Sequence, residues 1–527
     1  MRIPQGTSEA DFKAALQEFT NVVGPDWVFT SDEDVAAYRD AYSPFVGQPD
    51  KMNVAGAAVS PTTVEQVQQI VRIANKYTVP LFAISTGRNL GYGGSSPPFS
   101  GSVIVDLKRM NKVVEVNETE AYMIVEPGLS FIDMHRHLTS IGSNLRLSAP
   151  QPGWGSPIGN GLDHGHGDAS FNGDNFSMVK GLEVVLPSGE LLRTGCGAVP
   201  GSKLWMHYEY GFGPYINGMF SQSNFGIVTK ACFWLTPNWE VQQSFTIESD
   251  KTDDMQRYID ALLPLRNEGV LHGWGITSPI RESGAHNDGR HPYGPKEVYA
   301  LLHSPEGGTV QQWDDLGRSS NIPAARGMGS MRGAAPVVAA QLAYARERLK
   351  GLPGNFTVGK PIYGKDWLGP RIDFGIIAIQ ETSHGHFYFS PMFKAQAKDI
   401  FAINDTIRRV MIEHNDYDML DNFCWSGTRG AGPDKYMLIL LEFLVHDDID
   451  LNNRRLDLFR ALVKTCGENG WPEYRTPSYM QDIVMNQYSF NDHALRRFHE
   501  TVKDAIDPNG ILAPGKAGIW PKRLRKT

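Results

Sequence analysis

A chain of 527 residues is longer than a single hydrophobic core usually supports, so its length predicts two domains. Hydrophobic residues make up 41% of the chain and charged residues 20%, a globular composition that argues against disorder. The net charge of −8 argues against a nucleic-acid surface, and we interpret the basic cluster at residues 522–526 as a solvated tail.

Targeting segments are not expected in this chain. The first residues lack the apolar core of a signal peptide, and the longest apolar run, residues 436–445, is too short to span a bilayer. The four cysteines, Cys196, Cys232, Cys424 and Cys466, form no Cys-x-x-Cys pair, which is typical of reduced thiols. These features predict a soluble cytoplasmic enzyme.

The first predicted elements alternate between strands and a helix. Apolar runs at residues 57–59, 81–84, 103–105 and 122–125 are predicted strands. Thr62 and Glu65 have the spacing of a capping box. The helix that follows carries an apolar face with helical period, made of Val64, Val67, Ile70, Val71 and Ala74.

A glycine-rich loop, residues 85–94, follows the strand at 81–84. Its four glycines allow successive backbone N–H groups to approach phosphate oxygens. The spacing matches neither the dinucleotide fingerprint nor a Walker loop. Taken alone, the loop is therefore either a phosphate-binding loop or a plain glycine-rich turn.

Later segments suggest how the chain divides. A second glycine-rich stretch covers residues 153–167, and residues 181–190 read as a hairpin with a Pro-Ser-Gly turn. After about residue 238 the pattern changes to mixed strands, amphipathic helices and long polar loops. We predict one domain at residues 1–238, to which residues 486–527 return, and a second at residues 239–485.

Six segments resemble, in chain order, the vanillyl-alcohol oxidase family of flavoproteins, and within it the bacterial branch that oxidises phenols. They are residues 85–93 (STGRNLGYG), 125–128 (VEPG), 181–190 (GLEVVLPSGE), 224–230 (NFGIVTK), 474–475 (YR) and 512–516 (LAPGK). The resemblance is dense over residues 50–240 and from 470 onward, and thin between 240 and 370.

The resemblance implies an α+β fold: a two-subdomain FAD-binding domain of the para-cresol methylhydroxylase type, capped by a large antiparallel sheet flanked by helices. The cap would hold substrate over the flavin. Besides a covalent attachment residue, the implied FAD-binding residues are Ser85, Thr86, Gly87, Arg88, Asn89, Leu90, Gly91, Pro150, Gly155, Ser156, Gly159, Asn160, Gly226, Ile227 and Lys516.

The resemblance also implies covalent attachment of FAD through a histidine. Residues 383–391 (SHGHFYFSP) resemble the family segment that carries the histidyl link, which places the link at His386, with His384 as the alternative. The tyrosyl link of other members would fall near Ala378, which has no nucleophile. Such a bond raises the flavin potential and prevents loss of the cofactor.

The implied reaction is oxidation of a para-substituted phenol. Tyr92, Tyr474 and Arg475 match the family's phenolate-binding set, in which charge and hydrogen bonds stabilise the ionised phenol. Hydride would leave the benzylic carbon to give a para-quinone methide, with O2 reduced to hydrogen peroxide. The implied product is an alcohol or a vinylphenol.

Gln151 departs from the family pattern. Members that oxidise vanillyl alcohol and eugenol carry an aspartate at this place, whereas glutamine orients water but cannot accept its proton. We therefore expect weaker hydration of the quinone methide and more desaturation. A preference for substrates like 4-ethylphenol over vanillyl alcohol is the accompanying expectation.

A second departure is at residues 163–168 (DHGHGD), where family members read Asp/Glu-Arg-Gly-Val-Gly. Two histidines and two aspartates resemble metal ligands. We interpret the segment as a flavin-lining loop and residues 446–450 as a solvated acidic turn, and we expect no metal.

Alternative functions remain open at this point. One is a 4-cresol-type dehydrogenase of the same family that passes electrons to a cytochrome, and another is a eugenol or vanillyl-alcohol oxidase. A non-catalytic FAD-binding protein would have no reason to combine Tyr92, Tyr474 and Arg475. By analogy with the family we expect a homodimer or larger homo-oligomer, and no nucleic-acid or membrane partner.

Overall fold

The structure is a computed structural model that describes residues 2–150, 152–167, 175–283, 295–364, 384–422 and 435–525. Among these residues, helices flank one mixed sheet and several antiparallel sheets. The predicted α+β class is therefore confirmed. No helix in the described ranges is both long enough and apolar enough to cross a membrane.

The N-terminal part begins with a small mixed sheet. Its strands lie in the order Val28–Phe29, Ala57–Val59, Val103–Asp106 and Leu81–Ile84, and the last three are parallel. Helices Glu9–Val23 and Val64–Tyr77 bury their apolar faces in the adjoining core. The strands predicted at 57–59, 81–84 and 103–105 are confirmed.

The predicted cap of helix Val64–Tyr77 is wrong by one residue. Thr63 is the N-cap, and its hydroxyl accepts from the N–H of Gln66 at 3.3 Å. Thr62 instead donates its N–H to Oε1 of Gln66 at 2.8 Å. The cap lies one residue later than predicted because the side chain of Gln66, rather than that of Glu65, reaches back over the start of the helix.

A second sheet of five antiparallel strands completes the N-terminal part. The strand order is Val113–Asn117, Tyr122–Val125, Ile227–Trp234, Val179–Val185 and Leu191–Arg193. The last two strands form the predicted hairpin, with Gly189 at φ +82° in its turn. Helices Phe131–Ser140 and Pro157–Leu162 and the short pair Leu145–Arg146 with Thr236–Pro237 pack beside this sheet.

Antiparallel sheets and helices make up the central part of the chain. One sheet has the order Gly273–Thr277, Ala325–Gly333, Val241–Ser249 and Asn355–Val358, with Ile362–Tyr363 also paired to Val241–Ser249. Two separate pairs are Gly385–Phe389 with Leu441–Val445, and Met392–Lys394 with Tyr436–Leu438. The α-helices here are Asp254–Asn267, Pro279–Glu282, Lys296–His303, Val310–Ser320, Ala335–Arg348, Ala397–Glu413, Tyr417–Asn422 and Ile449–Glu468.

The C-terminal segment returns to the N-terminal sheet. After helices Gln481–Gln487 and Phe490–Ile506, the N–H of Leu81 donates to the carbonyl of Ile511 at 2.7 Å. The N–H of Ala513 donates in turn to the carbonyl of Leu81 at 2.7 Å. Ile511 is buried in the same core as strand Leu81–Ile84, so the end of the chain closes the region that carries the glycine loop.

Candidate active site

The glycine loop leaves a row of backbone donors available. Gly87 and Gly91 have φ values of +67° and +77°, in the left-handed region that favours glycine. Within the described part of the chain, no acceptor pairs with the N–H groups of residues 87–91. Ser85 faces helix Pro157–Leu162, because a Cβ at Gly159 would lie 2.6 Å from the Oγ of Ser85. Unpaired amides on a glycine loop fit the phosphates of FAD.

Gly91 packs directly against the strand that carries the predicted covalent attachment site. A Cβ at this position would lie 2.8 Å from ring carbons of Tyr388 and 2.9 Å from Cδ2 of His386. Only a residue without a side chain permits this approach. The loop and strand Gly385–Phe389 are therefore held together beside His386.

His386 is buried in strand Gly385–Phe389, with 3% of its surface exposed. Its Nδ1 lies 2.9 Å from Oε1 of Glu442 on the neighbouring strand, without the alignment of a full hydrogen bond. The Tyr42 ring makes an edge contact at 4.9 Å between centroids. Burial raises the pKa of Asp40 to about 6, while the Tyr42 amide and His386 favour its charged form. Two carboxyl groups thus influence His386, while its Cδ2 edge faces the loop.

Arg475 is a largely enclosed cation of the site, with 11% of its side chain exposed. Its guanidinium carbon lies 4.0 Å from the centroid of the Tyr92 ring, a cation–π distance. One of its terminal nitrogens donates to Oδ1 of Asn89 at 2.7 Å and lies 2.9 Å from Oδ2 of Asp163. The Nε of Arg475 is buried without a partner among the described residues. The predicted pairing of Tyr92 with Arg475 is thus present.

Asp163 is the counter-ion of the cluster, a role the sequence did not suggest. Besides Arg475, it contacts Nζ of Lys516 at 3.4 Å. Burial opposes its charge, but Lys516 and Arg475 outweigh this effect and hold the pKa of Asp163 well below its usual range. Asp163 in turn raises the pKa of Arg475 against the opposing effect of burial. Lys516 lies near Arg475 through this shared carboxylate.

Tyr474 approaches the same cluster from the C-terminal side. Its hydroxyl donates to the carbonyl of His164 at 2.7 Å and lies 3.1 Å from Nδ1 of His166. The other ring nitrogen of His166 lies 3.1 Å from the hydroxyl of Tyr436. Tyr474 and Arg475 are consecutive, and Arg475 lies over Tyr92, so the three residues predicted to bind a phenolate belong to one connected cluster.

The buried carboxyl group of Glu473 is connected to Tyr92 through Ser390. The Oε1 of Glu473 accepts from the backbone N–H of Ser390 at 2.6 Å, and the Oγ of Ser390 lies 3.3 Å from the hydroxyl of Tyr92. Burial raises the pKa of Glu473 well above its usual range and also raises the pKa of Tyr92. Burial thus favours the protonated form of both Glu473 and Tyr92.

Three predicted FAD-binding residues surround the start of helix Pro157–Leu162. Ser156 is its N-cap and donates from Oγ to the carbonyl of Pro127 at 2.7 Å. Asn160 accepts from Nδ2 of Asn175 at 2.7 Å. The carbonyl of Gly155 accepts from the N–H of Phe131 at 3.0 Å. These contacts connect the start of this helix to Pro127, Phe131 and Asn175.

Other predicted FAD-binding residues differ in how deeply they are buried. A Cβ at Gly226 would lie 2.4 Å from the side chain of Val184, so this glycine is needed for packing. Ile227 is buried in the core beside the first sheet. Arg88 is exposed, and Thr86, Leu90 and Pro150 are half-buried.

Two predictions lie outside the described residues. They are the effect of Gln151 and the absence of a nucleophile at Ala378. In the segment at residues 163–168, Nε2 of His164 lies 3.1 Å from the Oγ of Ser221. Asp163 contacts Arg475 and Lys516, and His166 contacts Tyr474 and Tyr436. No group of three candidate metal ligands occurs within the described ranges.

Sequence reasoning missed several neighbours of the site. Tyr388 and Ser390 lie two and four residues after His386, so strand alternation from His386 would have found them. Glu442 could not be found in this way, because it reaches His386 through the pairing of strands Gly385–Phe389 and Leu441–Val445. The sequence pattern marks Asp163 only as a member of a segment that resembles metal ligands.

Comparison with known proteins agrees with this geometry. The model of a family described as an FAD-binding domain matches residues 55–195. The flavoprotein subunit of 4-cresol dehydrogenase [hydroxylating] from Pseudomonas putida is 31% identical over 98% of this chain and 97% of its own length. A solved 4-ethylphenol oxidase from Gulosibacter chungangensis, in complex with isoeugenol, is 31% identical with a TM-score of 0.79, over 99% of this chain and all of its own.

A second solved structure, p-cresol methylhydroxylase with substrate bound, is 26% identical with a TM-score of 0.81 and covers 98% of this chain and 99% of its own. The matches therefore extend over both parts of the fold, including the strands around His386 and the segment that carries Tyr474 and Arg475. The chain is an FAD-dependent oxidoreductase that belongs to the family of vanillyl-alcohol oxidase and 4-cresol dehydrogenase.

Proposed function

We propose that this protein oxidises 4-alkylphenols at the benzylic carbon and passes the electrons to O2. The observation that carries the proposal is the cluster in which the Arg475 guanidinium, on a side chain only 11% exposed, lies against Tyr92 beside Tyr474. A cation beside two tyrosine hydroxyls suits a phenol oxygen as ligand, because that oxygen becomes negatively charged on ionisation. A 4-ethylphenol oxidase and a 4-cresol dehydrogenase among the similar proteins support this substrate class.

The protein's groups favour the ionised phenol. Arg475 supplies a permanent positive charge, and the raised pKa of Tyr92 keeps its hydroxyl protonated and able to donate. Loss of the phenolic proton pushes electron density toward the para carbon and eases departure of hydride from the benzylic carbon. A para-quinone methide remains, held by its oxygen at Arg475.

The residues that would hold FAD are those of the glycine loop, Lys516 and His386. FAD held by these residues would supply the acceptor of the hydride and the route of both electrons to O2, with hydrogen peroxide as the product. The unpaired amides of residues 87–91 would face its phosphates. Lys516 is a second cation in the same region.

We further propose that FAD is bonded covalently to His386. The ring's Cδ2 edge faces Gly91, and Glu442 lies 2.9 Å from Nδ1 on the opposite side, which favours the tautomer with a lone pair on Nε2. Fluorescence of the denatured protein in a gel tests this point. We expect a fluorescent band for wild type and for His384→Ala, the matched control, and a dark band for His386→Ala.

Gln151 supports a proposal about the product. An amide cannot take the proton of an attacking water, so the quinone methide would lose a proton from its side chain to give a vinylphenol in larger yield than the alcohol. Chromatography of products from 4-ethylphenol tests this. Formation of the alcohol alone would contradict the role given to Gln151.

The second candidate is a dehydrogenase that passes electrons to a cytochrome. The full-length similarity to a 4-cresol dehydrogenase favours it. A eugenol or vanillyl-alcohol oxidase is a third, with the same fold and a different preferred substrate. We also propose a cytoplasmic homodimer or larger homo-oligomer.

Peroxide formation tests the proposed function directly. With 4-ethylphenol in air we expect hydrogen peroxide in stoichiometric amount with oxidised phenol. 4-Ethylanisole, which has the same benzylic carbon but no ionisable hydroxyl, should not react. Equal rates with the two compounds would contradict the phenolate mechanism. Turnover with cytochrome c but not with O2 would favour the second candidate.

A further inference from the structure

His166 links two tyrosine hydroxyls at the edge of the phenol site. Its Nδ1 lies 3.1 Å from the hydroxyl of Tyr474, and its Nε2 lies 3.1 Å from the hydroxyl of Tyr436. The His166 and Tyr474 rings make an edge contact at 5.1 Å between centroids. Both ring nitrogens are therefore in a hydrogen-bonded chain that ends at a residue of the proposed phenolate site.

A phenol that binds as phenolate must give up a proton, because its hydroxyl, like that of tyrosine, ionises only near pH ~10 in water. Arg475 is fully protonated and cannot take it. Asp163 is held ionised by Arg475 and Lys516, so it is a poor acceptor, and the Glu473 carboxyl contacts the backbone N–H of Ser390. His166 places a ring nitrogen 3.1 Å from the Tyr474 hydroxyl, and the lone pair of a neutral imidazole can accept a proton.

We propose that His166 receives the phenolic proton through the hydroxyl of Tyr474. The phenol O–H bond breaks and its electron pair stays on the phenol oxygen, while the proton forms an O–H bond with Tyr474. The original proton of Tyr474 moves to Nδ1 of His166. Nε2–H of the resulting imidazolium donates to the hydroxyl oxygen of Tyr436.

The tautomer of His166 determines whether this transfer can occur. The Tyr474 hydroxyl has one proton and two neighbouring acceptors, the carbonyl of His164 at 2.7 Å and His166. When Nε2 of His166 carries the proton, Nδ1 has a lone pair that faces Tyr474, and rotation of the hydroxyl makes the connection. His166 is a positioning and proton-accepting residue that acts through Tyr474.

The charged and titratable groups around His166 favour the product of this transfer. Tyr474 and Tyr436 contact it from other segments, and Asp163 and His164 belong to its own loop. Arg475, paired with Asp163 at 2.9 Å, would stabilise the phenolate that is left behind.

Proton counting tests this inference, which rests on the proposed phenol site. The probe is 4-fluorophenol, which has no benzylic hydrogen and is not oxidised. It is titrated into FAD-loaded protein at about pH 8, above the ordinary pKa of a histidine and below that of a phenol. Calorimetry in phosphate and in Tris, which differ in ionisation enthalpy, gives the protons released, and difference absorbance gives the phenolate formed.

For wild type we expect a phenolate signal with almost no proton released to buffer. His166→Gln can still accept a hydrogen bond but cannot be protonated, so it should either release about one proton per phenolate or lose the phenolate signal. His164→Asn, in the same loop, is the matched control and should behave as wild type. Asparagine tolerates the left-handed backbone found there, φ +55°.

Two results would overturn the role of His166. One is release of about one proton by wild type on phenolate binding, and the other is a His166→Gln variant with full phenolate signal and no release. Failure of the proposed phenol site is a separate result. In that case wild type would give no phenolate signal at all.

Discussion

Asp163→Asn is the substitution whose effect is best defined by the structure. The carboxylate lies 2.9 Å from Arg475 and 3.4 Å from Lys516, and the Asp163 and Arg475 side chains are 17% and 11% exposed. At an effective dielectric constant of about 20, these separations correspond to gross attractions of about 6 and 5 kcal/mol. Desolvation offsets most of this, and removing one partner of a buried pair typically costs about 3–5 kcal/mol. We expect the free energy of unfolding to fall by about 3 kcal/mol, because asparagine keeps one oxygen acceptor.

Urea titration of wild type and variant measures this loss. Asp447→Asn is the matched control, since Asp447 is 88% exposed and pairs with the exposed His384. That surface pair should contribute at most about 1 kcal/mol. Because the pKa of Asp163 is lowered in the folded state, its contribution is present above pH ~4 and is lost as the pH falls further. A loss below about 1 kcal/mol for Asp163→Asn, or an equal loss for the control, would refute the buried-pair interpretation.

Three further substitutions test parts of the site. Gly91→Ala places a Cβ 2.8 Å from the Tyr388 ring at a backbone φ of +77°, so FAD content after purification should fall sharply, and normal content would contradict the close packing. Glu442→Gln should slow covalent attachment at His386, seen as weaker gel fluorescence with normal total flavin, whereas an unchanged time course would remove Glu442 from this role. Because the pKa of Glu473 is raised, wild type should lose stability as the pH rises above ~4.3, and Glu473→Gln, a neutral mimic of the protonated acid, should abolish that slope in urea titrations at several pH values.

Local patterns predicted the elements of the N-terminal part well. The strands at 57–59, 81–84 and 122–125 have continuous apolar sequences, and all three occur in the structure with these bounds. The helical face from Val64 to Ala74 is buried as its period predicts. The cap failed because Thr62 and Thr63 both precede the helix, and the sequence alone does not decide which one caps it.

The site could be predicted only where family motifs mark it. Tyr92 and Arg475 are far apart in sequence, and their contact depends on the fold, so only the resemblance could pair them. Asp163 and Glu442 are ordinary acidic residues in sequence, and their roles come from burial and strand pairing. The same holds for His166, which looks like a metal ligand until its tyrosine partners are known.

Anaerobic mixing with 4-ethylphenol tests the central claim most directly. If this protein oxidises alkylphenols, the absorbance of oxidised flavin disappears on mixing, 4-ethylanisole leaves it unchanged, and admission of air restores it with formation of peroxide. Flavin that stays oxidised with 4-ethylphenol, in protein shown to contain FAD, would contradict the proposed function.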